Sequence, residues 1–231
     1  MSIITDSSDS SDERNDDYHN QDCDGKVEPF SKEQTIRIIN QLENNICKIE
    51  KKNGHKATGF LCKIPFPDEY NLRPFLITNY HVLKGKNLKT DKIIKISFDD
   101  DRIKKEIKID QNRMILALED IDVSMIEIKP ELDNLHNFLD IDKNIYLTTY
   151  KEFYKNKSIY ILQYPRGQYS YYSSGLIKEI VNENIRHFCS TEKGSSGSPI
   201  LSIANLSVIG VHKRGSNYDY NEGTFIKFCN R

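Results

Sequence analysis

Apolar positions along the chain fall into two regimes. Between residues 31 and 44 they are spaced for a helix, with Ile36, Ile39 and Leu42 on one face. Ser31-x-x-Gln34 ahead of them reads as a capping box, in which hydroxyl and amide side chains each take up a free backbone N–H. From about Asn45 the pattern becomes short apolar runs rich in β-branched residues. In order these are NICKIEK, ATGFLCKI, PFLITN, KIIKISF, DRIKKEIKI, RMILAL, DVSMIEI, SIYILQY, GLIKEIV, IRHFCS, SPILSI, LSVIGV and GTFIKF. Asn53-Gly54 between the first two is a strong hairpin turn, and Asp99-Asp100-Asp101 marks a second. So many short strands with little helix between them predict an all-β class, as antiparallel barrel or sandwich. Residues 131–140, ELDNLHNFLD, read as a helical turn in mid-chain where two barrels would be joined.

Length and charge refine this picture. The 231 residues suit one large domain or two small subdomains with a shared interface. There are 33 basic and 34 acidic residues, a net charge of -1. The balance is uneven: residues 1–30 hold nine acids and two bases (9 - 2, net -7), leaving 31 bases and 25 acids elsewhere (net +6). Residues 1–29 are acidic and almost free of aliphatic clusters, so they cannot bury enough apolar surface to offset ordering, and a disordered tail is expected. The folded domain is then 30–231, with a subdomain boundary near 130–155. No apolar run reaches the roughly 18 residues of a membrane span. The start lacks a secretory signal, so a cytoplasmic protein is expected. Near-neutral charge argues against a nucleic-acid binder. Cys23, Cys47, Cys62, Cys189 and Cys229 are odd in number, spread out and without a C-x-x-C pair. Neither a disulfide framework nor a zinc site is expected from them.

Three segments carry candidate chemistry. Gly194-Ser195-Ser196-Gly197-Ser198-Pro199 sits between two strands. Its glycines permit a tight loop from which a hydroxyl protrudes while neighbouring backbone N–H groups face a developing oxyanion. In Leu76-Ile77-Thr78-Asn79-Tyr80-His81 an apolar strand ends and delivers a histidine into a turn. Asp122 heads the apolar strand VSMIEI, with Asp120 a nearby competitor. The order His81, Asp122, Ser196, with gaps of 41 and 74 residues, separates hydrolase types: the acid precedes the histidine in the subtilisin order, and an α/β-hydrolase needs G-x-S-x-G. Each segment also has a plain structural reading, as turn, strand end or strand cap.

Over residues 45 to 228 the chain resembles the trypsin-like (chymotrypsin-fold) serine proteases, through TNYHVL, DVSMIEI, STEKGSSGSPI and VIGVH in that order. The resemblance implies two antiparallel six-stranded barrels with the active site between them, after a short N-terminal helix. It implies polypeptide hydrolysis through an acyl-enzyme, with His81 as base, Asp122 as its orienting acid and Ser196 as nucleophile. The backbone N–H groups of Gly194 and Ser196 would form the oxyanion hole, and no cofactor, metal, nucleic acid or membrane is involved. Two departures stand out: Ser195 replaces the Asp that precedes the nucleophile in digestive relatives, and Val82 replaces the cysteine after the histidine. Gly194-Ser195-Ser196-Gly197-Ser198-Pro199, with Thr191 upstream and His212 downstream, is closer to the glutamyl-specific endopeptidases. Matching positions there imply that Thr191 and His212 bind the side-chain oxygen of a Glu or Gln before the cut, a partly protonated His212 favouring Glu. Glu192 is an awkward neighbour for such a pocket, with Lys213 and Arg214 available to offset it. The rival reading is a catalytically silent protein of this fold used for binding.

Overall fold

The computed structural model describes residues 25–51, 54–68, 70–85, 88–215 and 220–227. Most of the acidic segment, residues 1–24, lies outside these, as do Cys23, Cys229, His19 and Asn53. Packing starts before the expected Ser31: the Glu28 N–H donates to Ser158 Oγ at 2.9 Å, and the Phe30 ring stands edge-on to Tyr160 and Tyr172.

Helix α1 (Lys32–Asn44) begins at the capping box, with Gln34 N–H donating to Ser31 Oγ at 3.1 Å and Ser31 N–H to Gln34 Oε1 at 2.9 Å. Such a cap contributes about 1 kcal/mol. The buried face differs from the expected one: Ile38 and Leu42 are buried, whereas Ile36 and Ile39 are 58% and 48% exposed. The cause is polar. Gln34 Nε2 donates to Ile203 O and Gln41 Nε2 to Leu206 O, both at 3.0 Å, so positions 34, 38 and 41 face the body of the protein.

The first sheet contains β1 (Ile46–Glu50), β2 (Lys56–Pro65), β3 (Leu72–Thr78), β4 (Ile93–Phe98), β5 (Ile103–Lys108), β6 (Ile115–Leu118) and β7 (Val123–Glu127). Its order is β5-β4-β1-β2-β3-β7-β6, and the two-residue β8 (Leu139–Asp140) adds to β2 in parallel. It is thus a curled open sheet rather than a closed six-stranded barrel. The Asp99–Asp101 turn joins β4 to β5, all three aspartates taking positive φ. Short helix α2 (Pro130–Asp133) lies in the expected mid-chain segment, and α3 (Tyr150–Tyr154) follows.

The second sheet is a closed barrel of β9 (Ser158–Gln163), β10 (Tyr171–Val181), β11 (Asn184–His187), β12 (Pro199–Ser202), β13 (Val208–Gly215) and β14 (Asn221–Phe225), in the order β10-β11-β14-β13-β12-β9. One apolar core runs from α1 through the inner face of the first sheet into this barrel, through Ile38, Phe60, Phe75, Tyr160, Ile200 and Val211. Burying each such side chain contributes roughly 1.5–3 kcal/mol. The continuous core holds the two halves at a fixed separation, with a cleft where their loops meet. Cys47, Cys62 and Cys189 are buried free thiols of this packing. Among the described residues, no helix is long and apolar enough to cross a membrane.

Candidate active site

Strand register brings the first pair together. Thr78 at the end of β3 lies opposite Ser124 on antiparallel β7. Three residues beyond one and two before the other, His81 and Asp122 meet. The His81 ring Nδ1 is 2.8 Å from Asp122 Oδ2, and the His81 backbone N–H donates to Asp122 Oδ1 at 2.9 Å. One carboxylate therefore grips both the ring and the main chain of the histidine. Asp122 has φ of 56°, a left-handed conformation that Asp tolerates better than most residues. Its carbonyl accepts from Tyr80 N–H and Asn79 Nδ2, so the histidine turn is tied to it at four points. Burial alone would raise the Asp122 carboxyl. The bonds from His81 and the nearby Lys213 charge outweigh burial and hold it below the usual carboxylate range. Asp120 lines the same cleft but makes no hydrogen bond to His81 among the described residues.

Ser196 lies across the cleft, half-buried between β11 and β12. His81, Asp122 and Ser196 line one cavity of about 730 Å³, together with Tyr80, Lys213 and Glu222. The Ser196 hydroxyl donates to the Lys213 carbonyl at 3.1 Å, rather than to the His81 ring.

The turn around Ser196 is held one peptide plane at a time. Lys193 C=O accepts from Arg166 N–H at 2.6 Å, and Ser195 C=O accepts from Ser198 N–H at 3.1 Å. In a trans peptide the C=O and the following N–H point opposite ways. The amides of Gly194 and Ser196 are therefore turned away from these anchors, and neither donates to a described acceptor. Ser195 and Gly197 spend their amides on Glu192 C=O and His212 C=O, each at 3.0 Å. Gly194 has φ of 102°, and a Cβ there would sit 2.8 Å from Tyr164 O and 2.9 Å from Arg166 N. Only glycine fits this position.

His212 and Thr191 are not joined by a hydrogen bond among the described residues. Thr191 is half-buried in the loop entering the turn that carries Ser196. His212 lies inside the barrel at 1% exposure, its Nδ1 3.3 Å from His187 Nε2. Burial, reinforced by His187 and His81, pushes the His212 ring well below its ordinary value, and burial takes His187 down to about 3. Burial thus favours the neutral form of the His212 ring over the protonated form that would select Glu. Glu192 is compensated by neither Lys213 nor Arg214. Arg166 takes it in a two-pronged pair at 2.5 and 3.0 Å, while Lys213 donates to Asn184 and Arg214 to Glu222. The partners Arg166, Asn184 and Glu222 carry no signal in the sequence, because no motif distinguishes a surface charge that folds beside a loop from one that does not. Among the described residues no His, Cys, Asp and Glu cluster is arranged to hold a metal ion.

Residues 57–211 match the family model of the trypsin-like peptidase domain. No curated protein matches the chain in sequence. Among solved structures, the chain is similar to the Rv3671c protease of M. tuberculosis in its inactive form, at TM-score 0.59 and 16% identity over 87% of this chain and 93% of that one. Deg5 aligns at TM-score 0.57 and 20% identity over 84% and 90% of the two chains. Tobacco etch virus protease in complex with product aligns at TM-score 0.53 and 15% identity over 83% and 76%. These likenesses show the shared fold, and the family model spans well over half of the chain. The chain therefore belongs to the trypsin-like peptidase family and is a serine protease.

Proposed function

We propose that residues 30–231 act as one endopeptidase domain in which Ser196 is the nucleophile, His81 the general base and Asp122 the group that orients it. The observation that carries this is the double grip of Asp122 on His81, with Ser196 on the facing wall of the same cleft. Ser196 Oγ attacks the scissile carbonyl as its proton passes to His81 Nε2. The same proton then goes to the leaving amine, giving an acyl-enzyme, and water, deprotonated by His81, releases the acid. Asp122 stays ionised throughout, keeping the Nδ1 proton on its own side of the ring. The unengaged amides of Gly194 and Ser196 are the donors to the oxyanion.

For specificity we infer a preference for Glu or Gln before the cut, with Thr191 and His212 as the groups facing that side chain. A neutral imidazole donates one N–H equally well to an amide or a carboxylate oxygen, so His212 supplies no charge that selects Glu over Gln. Peptide-library profiling tests this: a preference for Arg or Phe before the cut rejects the pocket while leaving the protease reading intact.

One observation favours the silent alternative, the Ser196 hydroxyl resting on the Lys213 carbonyl. Fluorophosphonate labelling separates the two. We expect covalent labelling of the wild type and none of Ser196→Ala; an unlabelled wild type would favour the silent protein, and labelling that survives the substitution would refute Ser196 as nucleophile.

A further inference from the structure

Thr58 belongs to the first half of the molecule, on β2, yet its polar atoms serve the nucleophile turn of the second. It is fully buried. Its backbone N–H donates to Ser196 C=O at 3.1 Å. Its hydroxyl donates to Gly194 C=O at 2.9 Å and accepts the Tyr164 N–H at 3.1 Å. These side-chain bonds join residues 136 and 106 positions apart. Its carbonyl accepts from the Thr78 hydroxyl at 2.8 Å, and Thr78 ends the strand that delivers His81 three residues later.

Four consecutive peptide planes make up the turn. Arg166 N–H holds the carbonyl of Lys193 and Ser198 N–H that of Ser195. Thr58 holds the other two, through its hydroxyl on Gly194 and its N–H on Ser196. It thereby anchors the carbonyl side of both residues whose amides donate to no described acceptor. By accepting the Tyr164 N–H it also fixes the end of β9, from which the chain turns to bring Arg166 against Lys193. The neighbourhood admits no slack, since a Cβ on Gly197 would lie 2.1 Å from Thr58 O and 2.2 Å from Thr78 Oγ1.

We propose that the Thr58 hydroxyl is a positioning residue for the reaction: by holding the Gly194–Ser195 peptide plane, which links the planes that carry the Gly194 and Ser196 amides, it sets the angle between the two oxyanion donors and registers them against His81 across the seam between the two halves. The proposal rests on the serine-protease mechanism above. A buried hydroxyl on a strand needs only one partner to be satisfied. This one uses donor and acceptor together, both on the segment that orients the oxyanion donors. Misplacing a donor by a fraction of an ångström forfeits part of its effect, whereas deleting one costs about 100- to 1,000-fold in rate.

The test is Thr58→Val in the full chain, which replaces the hydroxyl by a methyl of the same shape and leaves the main-chain bond to Ser196. We expect kcat on a peptide substrate to fall about 10- to 100-fold with KM within about threefold, and a peptide-aldehyde inhibitor to weaken in parallel. Thr58→Ser restores kcat to within about threefold. In ¹⁵N–¹H spectra of Thr58→Val the Ser195 amide signal, on the peptide plane whose carbonyl loses the hydroxyl, shifts more than that of Gly197, whose plane keeps the bond from the Thr58 N–H. An unchanged kcat, a loss confined to KM, or failure of the serine variant to restore activity overturns the proposal. If Thr58→Val does not fold, Thr58→Ala assayed below its melting temperature takes its place with the same criteria. A wild type that hydrolyses nothing refutes the protease mechanism instead, and the Ser195 amide signal then decides the positioning role: no shift on removing the hydroxyl overturns it.

Discussion

The histidine pair inside the closed barrel makes stability depend on pH in a window where few other buried groups titrate. His187 is fully buried, its Nδ1 has no hydrogen-bond partner among the described residues, and its Nε2 faces His212 Nδ1. Burial lowers His187 from 6.5 to about 3 and moves His212 in the same direction. Between those values the unfolded chain binds a proton that the folded chain refuses, so folding stability is fully present above about pH 6.5 and is lost as pH falls toward 3. Each such histidine contributes a slope of up to about 1.4 kcal/mol per pH unit. For His187 alone the descent from pH 6.5 to 5 costs about 2 kcal/mol, and the whole interval about 5 kcal/mol. That compares with a total of about 5–15 kcal/mol for a folded domain. The loss matters at the cleft because His212 holds the turn around Ser196 through its main chain, N–H to Ser198 C=O at 2.8 Å and C=O from Gly197 N–H at 3.0 Å. Guanidinium unfolding at pH 7 and pH 5, for wild type and His187→Leu, measures it. The wild type should lose at least about 2 kcal/mol across that range and the variant about half as much as the wild type. Equal stability at the two pH values, or an unchanged slope in the variant, refutes the assignment of these rings as neutral.

Other substitutions probe separate links. Asp122→Asn keeps the shape of the acid but removes the charge that fixes the His81 tautomer, and kcat should fall about 10,000-fold with the melting temperature nearly unchanged. Gly194→Ala drives a methyl against the backbone of Tyr164, Arg166 and Gly167, so fluorophosphonate labelling should be lost and thermal stability reduced by more than about 1 kcal/mol. Arg113 and Asp133 form a buried two-pronged pair at 2.7 and 2.9 Å, so Asp133→Ala strands the guanidinium and should cost about 3–5 kcal/mol in chemical denaturation. Glu192→Gln breaks only an exposed pair with Arg166, and its stability effect should stay below about 1 kcal/mol.

What could be read from the sequence was what period and turn chemistry encode locally. The capping box at Ser31 formed as written, and every apolar run from NICKIEK to GTFIKF became a strand. The glycines flanking Ser196 have the positive φ that a tight turn demands. The approach of His81 to Asp122 was inferable because both flank strands that pair, so a register of two residues suffices to bring them together. Helix α1 shows the limit of such pattern reading. Helical spacing alone selects the face of Ile36, Ile39 and Leu42, but Gln34 and Gln41 reach carbonyls more than 160 residues away and turn the helix by their bonds.

The illegible part has a common physical form: a polar atom satisfied by a partner that only the folded chain supplies. A threonine in a strand reads as β-propensity, and nothing near Thr58 in sequence indicates that its hydroxyl reaches Gly194 and Tyr164. Arg166 on Glu192 is equally silent, as is the acceptor that the Lys213 carbonyl offers to Ser196. These bonds are individually worth about 1 kcal/mol net, too little to choose a fold. They act after the apolar core has brought the two halves together, and they then select among conformations of one turn that differ by similar amounts. Ser196 illustrates the scale: its hydroxyl bond to the Lys213 carbonyl is one neutral hydrogen bond, worth on the order of 1 kcal/mol net. A bond of that size does not decide which hydroxyl reacts, so the reactivity of Ser196 toward fluorophosphonate, rather than its ground-state partner, tests it as the nucleophile.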